Sequence, residues 1–306
     1  MSKFRFFAGL SSLLVFTLAT SACGIKKTAS SVTAQVMKDA IPSVEEEDDI
    51  AYANQASITT LKTLEGLQRV NPNDPTILFM LARSFGSYTF AFVENDILEA
   101  KGVNEAYEKL ATDRAKRFYG RGKKYGLMLL SKNHAFKKAM DGSLDDFKKA
   151  LNSFTKKDVP ALFWTAFNWG SLINFSKDSP EAIAELPRIE AMMKRVEALD
   201  DKYYYGGPHL FFGAFYAARP KMLGGQPEEA KKEFDEAIDI TQGKFLMSKV
   251  MKAQYYAVQT QDKPLFVSIL KEVVDADPSA LPSQRLGNEL AKRRAEVLLK
   301  KEKLFF

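Results

Sequence analysis

The stretch ITTLKTLEGLQRVNPNDPTILFMLARSF, from Ile58 to Phe85, decides the fold. Ile58, Leu61, Leu64, Leu67 and Val70 repeat at every third residue, which places them along one face of a helix. Asn71-Pro72-Asn73-Asp74-Pro75 then breaks the pattern. Proline just after a break suits the first turn of the next helix, where a missing N–H costs nothing. That next segment carries Leu78-x-x-Leu81-Ala82-x-x-Phe85, in which Ala82 lets two helices approach and Phe85 fills the gap between turns. The spacing predicts a pair of helices folded back on each other.

The same signature recurs further along. His209-x-x-Phe212-Gly213-x-x-Tyr216 is followed by Ala230, Phe234 and Ala237, and another unit ends Phe266, Leu270, Val273 before Asp277-Pro278. Other breaks fall at Asp141-Gly142, Lys157-Asp158-Val159-Pro160, Ser179-Pro180, Gly206-Gly207-Pro208 and Gly224-Gly225-Gln226-Pro227. There is little period-two alternation. The chain therefore reads as all-α, with about a dozen helices in tetratricopeptide-like pairs of about 34 residues, a generic helical bundle being the alternative. Gly120, Gly122 and Gly126 read as a turn joining two helices rather than as a phosphate nest.

The N-terminus reads as an export signal. Lys3 and Arg5 precede an apolar run from Phe6 to Leu18, too short to remain as a spanning helix, and Ala19-Thr20-Ser21-Ala22 leads to Cys23. A small-residue stretch ending in Ala-Cys resembles a bacterial lipoprotein signal, although Thr20 stands where that pattern prefers Leu. Cys23 is the one cysteine of the chain, so no disulfide and no thiolate metal site is expected. Gly24 is not the aspartate that retains many lipoproteins at the inner membrane, so the outer membrane is the expected destination. Residues 1–22 are expected to be signal, 23–44 a lipidated cysteine with a flexible tether, and 45–306 the helical domain. The acidic run Glu45 to Asp49 is expected to begin its first helix, where negative charge meets the positive end of the dipole. No second apolar stretch is expected to reach membrane-spanning length.

The net charge of +6 includes Lys3 and Arg5 of the signal, and the other basic residues are interspersed with acids. That pattern gives no support to nucleic-acid binding. The two histidines, His134 and His209, are far apart, and no HExxH, nucleophile elbow or phosphate loop occurs. No catalytic centre, metal site or cofactor is expected. Aromatic density is what stands out: Phe163, Trp164, Phe167 and Trp169 in one segment, then Tyr203-Tyr204-Tyr205 leading to Phe211, Phe212, Phe215 and Tyr216. These read either as packed core or as a cavity wall, and small-molecule pockets combine aromatic walls with a few polar groups. Read as a wall, the candidate ligand-binding residues are Trp164, Asn168, Tyr205, His209, Phe212, Tyr216 and Arg219, with Arg219 placed to meet a carboxylate.

Three strings carry a family resemblance: Phe163-Trp-Thr-Ala-Phe-Asn-Trp-Gly170, Tyr203-Tyr-Tyr-Gly-Gly-Pro-His209, and Arg219-Pro220-x-x-Leu223-Gly224-Gly225. With Ala191 to Val196 between them, they resemble the T component (TatT) of tripartite ATP-independent periplasmic (TRAP) transporters, over about residues 45 to 300. The resemblance implies a periplasm-facing lipoprotein of tetratricopeptide-like pairs. It also implies a homotrimer, a channel in each subunit, and association with the solute-binding protein of a TRAP transporter, whose cargo would be an organic acid or a more hydrophobic carboxylate. The competing expectation is a scaffold lipoprotein for envelope assembly that binds no small molecule.

Overall fold

The computed structural model describes residues 24–218 and 225–306. Cys23 and Arg219, the expected lipidation site and carboxylate partner, lie outside the described residues. Among the described residues every regular element is helical, as the periodicity predicts. In chain order the α-helices are α1 (24–39), α2 (Pro42–Glu45), α3 (Ile50–Val70), α4 (Pro75–Tyr88), α5 (Glu94–Ala100), α6 (Glu105–Leu130), α7 (His134–Ala139), α8 (Leu144–Leu151) and α9 (Val159–Asn174). They continue as α10 (Pro180–Ala184), α11 (Leu186–Leu199), α12 (Tyr203–Ala217), α13 (Pro227–Ile240), α14 (Leu246–Met251), α15 (Lys263–Asp275) and α16 (Arg285–Lys300). Two π-helical segments, Thr89–Val93 and Lys252–Ala257, continue α4 and α14 respectively.

The α3–α4 pair forms as the sequence dictates. Asp49 caps α3 by accepting from Ala51 and Tyr52 N–H, and Asp74 caps α4 by accepting from Ile77 N–H, with Pro75 in its first turn. The apolar face buries Leu61, Leu64, Leu78, Leu81 and Phe85. Neighbour then packs on neighbour: α4 on α6, α6 on α9, α9 on α11, and α12 on both α11 and α13. The last helix, α16, returns to touch α2, α3 and α5, so the array closes on itself. Closure of a row of helices leaves an interior, and that interior is where the site lies.

Four sequence expectations change. Residues 24–44, expected as a flexible tether, are mostly helical, and α1 is docked. Ser30 Oγ donates to Leu67 O at 3.2 Å, Ser31 Oγ to Asp74 Oδ2 at 2.5 Å, and Ala34 is fully buried. The small Ser, Thr and Ala side chains that read as linker are what allow this close approach. Consequently Asp49, not the whole acidic run, starts α3, while Glu45 belongs to α2.

The glycines near 120 do not make a turn; they lie inside α6. A Cβ on Gly122 would stand 2.0 Å from Asn168 Oδ1, and one on Gly126 would stand 2.2 Å from Thr165 Oγ1. These glycines are slots that let α6 lie against α9. Finally, the helical run Pro75–Ala100 is long and apolar enough to cross a membrane, but 61% of its most apolar window is buried against the rest of the protein. It is a core helix, which the sequence reading of apolar stretches passed over.

Candidate functional site

A cavity of about 650 Å³ lies in the interior of the closed array, within the range of small-molecule pockets. Helix α12 shows how its wall is built. Gly207, Leu210, Phe211, Ala214, Phe215 and Ala218 line it, at the three- and four-residue steps of a single helical face. Phe163, Trp164 and Phe167 of α9 form another wall, with Phe90 and Tyr255 from the two π-helical segments. A π-turn holds an extra residue and redirects the side chains around it, and such bulges are frequent at functional sites. Here both of them border the same space.

The start of α12 is held in an unusual backbone conformation. Tyr204, Tyr205 and Gly206 have φ of 47°, 60° and 77°, three left-handed residues in succession. Left-handed backbone costs roughly 1–2 kcal/mol for each non-glycine residue, so packing must offset it. The tyrosine ring of Tyr204 lies 5.0 Å from Trp164 and 6.0 Å from Phe163, on the cavity wall. Gly206 must be glycine on two counts, its φ and a Cβ that would come 3.1 Å from Ala237 Cα.

Polar groups enter the wall at separate places. Arg83 Nη2 pairs with Glu45 Oε1 at 2.6 Å, and its guanidinium lies 5.8 Å from the Trp164 ring centre and 5.9 Å from that of Tyr204. The Tyr204 hydroxyl also donates to Glu45, and burial pushes its pKa well above the ordinary range. Elsewhere Glu94 accepts from the Tyr119 hydroxyl at 2.6 Å, with Arg294 Nη1 3.9 Å away. Burial raises the pKa of Glu94 despite that arginine. Lys177, exposed in the turn just beyond α9, is the other charged side chain of the lining among the described residues.

Against this geometry the expected site residues separate. Trp164 lines the cavity. Asn168 does not: its Nδ2 donates to Ala82 O at 2.9 Å and to Trp164 O at 2.6 Å, clamping α4 to α9. The Tyr205 ring packs on Phe245, and its hydroxyl donates to Ser283. Phe212 is buried in a second hydrophobic cluster, stacked on Tyr216 at 5.8 Å. The face of α12 that meets the cavity is therefore the Phe211–Phe215 stripe, next to the His209–Phe212–Tyr216 stripe. Arg83, Phe90, Glu94, Lys177 and Tyr255 were missed. Arg83 had a visible signal, a cation directly after the apolar run Ile77 to Ala82.

His209 joins three helices. Its Nδ1 is 2.7 Å from Glu233 Oε2 on α13 and 3.9 Å from Glu197 Oε1 on α11. These three are the group among the described residues that could hold a metal ion, their ligand atoms lying within 4.8 Å of one another. The short Nδ1–Glu233 contact is a hydrogen bond that ties α12 to α13. The hydrogen bond to Glu233 raises the His209 pKa, opposed by burial. A raised histidine pKa contributes stability that is complete below the unfolded value, about 6.5, and is lost as pH rises through the folded one. Thermal melts should therefore hold level below pH 6.5 and decline above it, by roughly 2–4 °C if the pair contributes ~1 kcal/mol. In H209Q that decline should vanish, and an unchanged pH profile would remove the ion pair from the account.

A family model described as TRAP transporter T-component matches residues 46–306. No curated protein matches the chain.

Proposed function

Because this chain belongs to the family of TRAP transporter T-components, we propose that it serves such a transport system as a lipid-anchored accessory protein on the periplasmic side of a membrane, by expectation the outer one. It binds the system's solute-binding protein, and its aromatic cavity takes a small hydrophobic or carboxylate ligand. The observation that carries the ligand part is the cavity itself, since a pure scaffold has no need for an interior walled by Phe90, Trp164, Phe167, Phe211 and Phe215. Anchoring at Cys23 is supported by the sequence that precedes it. The homotrimer remains an implication of the family alone.

The partner is tested with the full-length chain recovered in mild detergent from its own envelope. A TRAP solute-binding protein should co-purify with it. Repeated recovery without one would overturn the assembly role. In C23S the chain should leave the membrane fraction, and retention there would remove the lipid anchor.

A further inference from the structure

The basic residues are not spread evenly among acids as expected. From Arg114 to Met140 the chain carries nine lysines and arginines and no aspartate or glutamate. That exceeds the whole net charge of +6, so the remainder of the chain is net acidic. The end of α6 and the start of α7 gather part of this charge into an open groove, lined by Lys123, Lys124, Lys132 and Lys137 with Leu127 and Met128. Lys123 is held by Glu185 at 2.8 Å. Lys124, Lys132 and Lys137 are exposed and have no ion-pair partner among the described residues. Asn73 belongs to the same lining, in the turn whose Asn71 and Asp74 hold Ser31 of α1 at 3.1 and 2.5 Å. From there α1 runs alongside α4, with Lys38 Nζ 5.5 Å from the Phe79 ring centre. The residues before Ser31 therefore project past that turn by roughly 10 Å, at the end of the molecule that carries the groove. They include the exposed Lys26 and Lys27.

We propose that this end of the array is a membrane-docking face, whose lysine groove takes the phosphate headgroups of anionic phospholipids. Its placement at the membrane rests on the reading of Cys23 as the anchor, while the binding itself needs no anchor. Because α1 is docked on the body and is not a loose tether, an acyl chain at residue 23 holds this face within reach of the bilayer surface. Each lysine near an anionic surface strengthens binding about fivefold. A hydrated ammonium on a flexible stem suits headgroups that diffuse, whereas a fixed carboxylate on a protein partner favours the planar fork of arginine. Salt screens the contact, so C23S still leaves a salt-washed membrane fraction.

The test uses residues 24–306, which hold every helix described above, and so needs no acyl group. The protein is sedimented at low salt with vesicles of phosphatidylcholine, alone or mixed equally with phosphatidylglycerol. Wild-type protein should bind the anionic vesicles and leave the neutral ones. With K124Q, K132Q and K137Q combined, binding should weaken about a hundredfold, fivefold for each lysine. K232Q, K271Q and K303Q combined remove the same charge from exposed lysines of α13, α15 and the C-terminus, and should bind as wild type does. Equal binding to the two kinds of vesicle, undiminished binding by the groove variant, or equal losses in both variants would overturn the assignment. So would a groove variant that still binds vesicles but no longer recovers a solute-binding protein from the envelope, since the groove would then belong to a protein partner. The anchor reading fails separately, by retention of C23S in salt-washed membranes.

Discussion

R294M is expected to be the most destabilising of the substitutions considered, lowering the unfolding free energy by about 3–5 kcal/mol. The side chain is only 3% exposed. Its Nε donates to Asn95 Oδ1 at 2.7 Å and its Nη2 to Phe90 O at 2.6 Å, while Asn95 Nδ2 donates in turn to Ala91 O. Together these bonds staple the π-helical segment Thr89–Val93 to α16 and so close the array. The guanidinium also lies 4.5 Å from the Phe90 ring and faces Glu94. Methionine fills similar space but strands Glu94 without its cation, and removing one member of a buried charged pair costs more than the pair contributes. Lysine restores the charge without the planar fork that reaches two acceptors, so R294K should recover only part of the loss. Urea denaturation measures both. A cost below ~1 kcal/mol for R294M would show that the π-segment is held by something else.

The second large effect is on binding. Ala214 stands on the cavity face of α12, between Leu210 and Ala218, and is half-buried. A tryptophan there would extend into the void, so A214W should keep its fold, melting within a few degrees of wild type, while occupying the ligand's volume. Affinity for an apolar ligand should fall at least ~30-fold, about 2 kcal/mol. A large loss of stability would mean instead that the space around residue 214 is already filled.

The helices were legible because their cause is local. The three-residue steps of Ile58 to Val70, the break at Asn71–Pro75 and the capping Asp74 all act within a few residues of where they are read. Closure of the array was not legible, since it depends on α16 meeting α2, α3 and α5 across most of the chain. The same limit governed the site. Aromatic density pointed to the right segments, and Trp164 does line the cavity. Which stripe of α12 faces inward, however, depends on what packs on its other sides: Glu233 of α13 holds His209, and Phe212 enters the second hydrophobic cluster. Asn168 looked like a ligand group because a polar side chain among aromatics needs a partner, and it finds one in Ala82 O. Gly122 and Gly126 misled for a similar reason. In sequence a glycine suggests a turn, but in α6 its missing side chain makes room for Asn168 and Thr165.

Ligand binding requires the aromatic interior to be open space that an apolar molecule can enter. Titration of N-phenyl-1-naphthylamine into wild-type protein and A214W, side by side, tests this most directly. One saturable site in the wild type, lost in a still-folded A214W, is the predicted result. No saturable binding to wild type, or equal binding by the two, would contradict it.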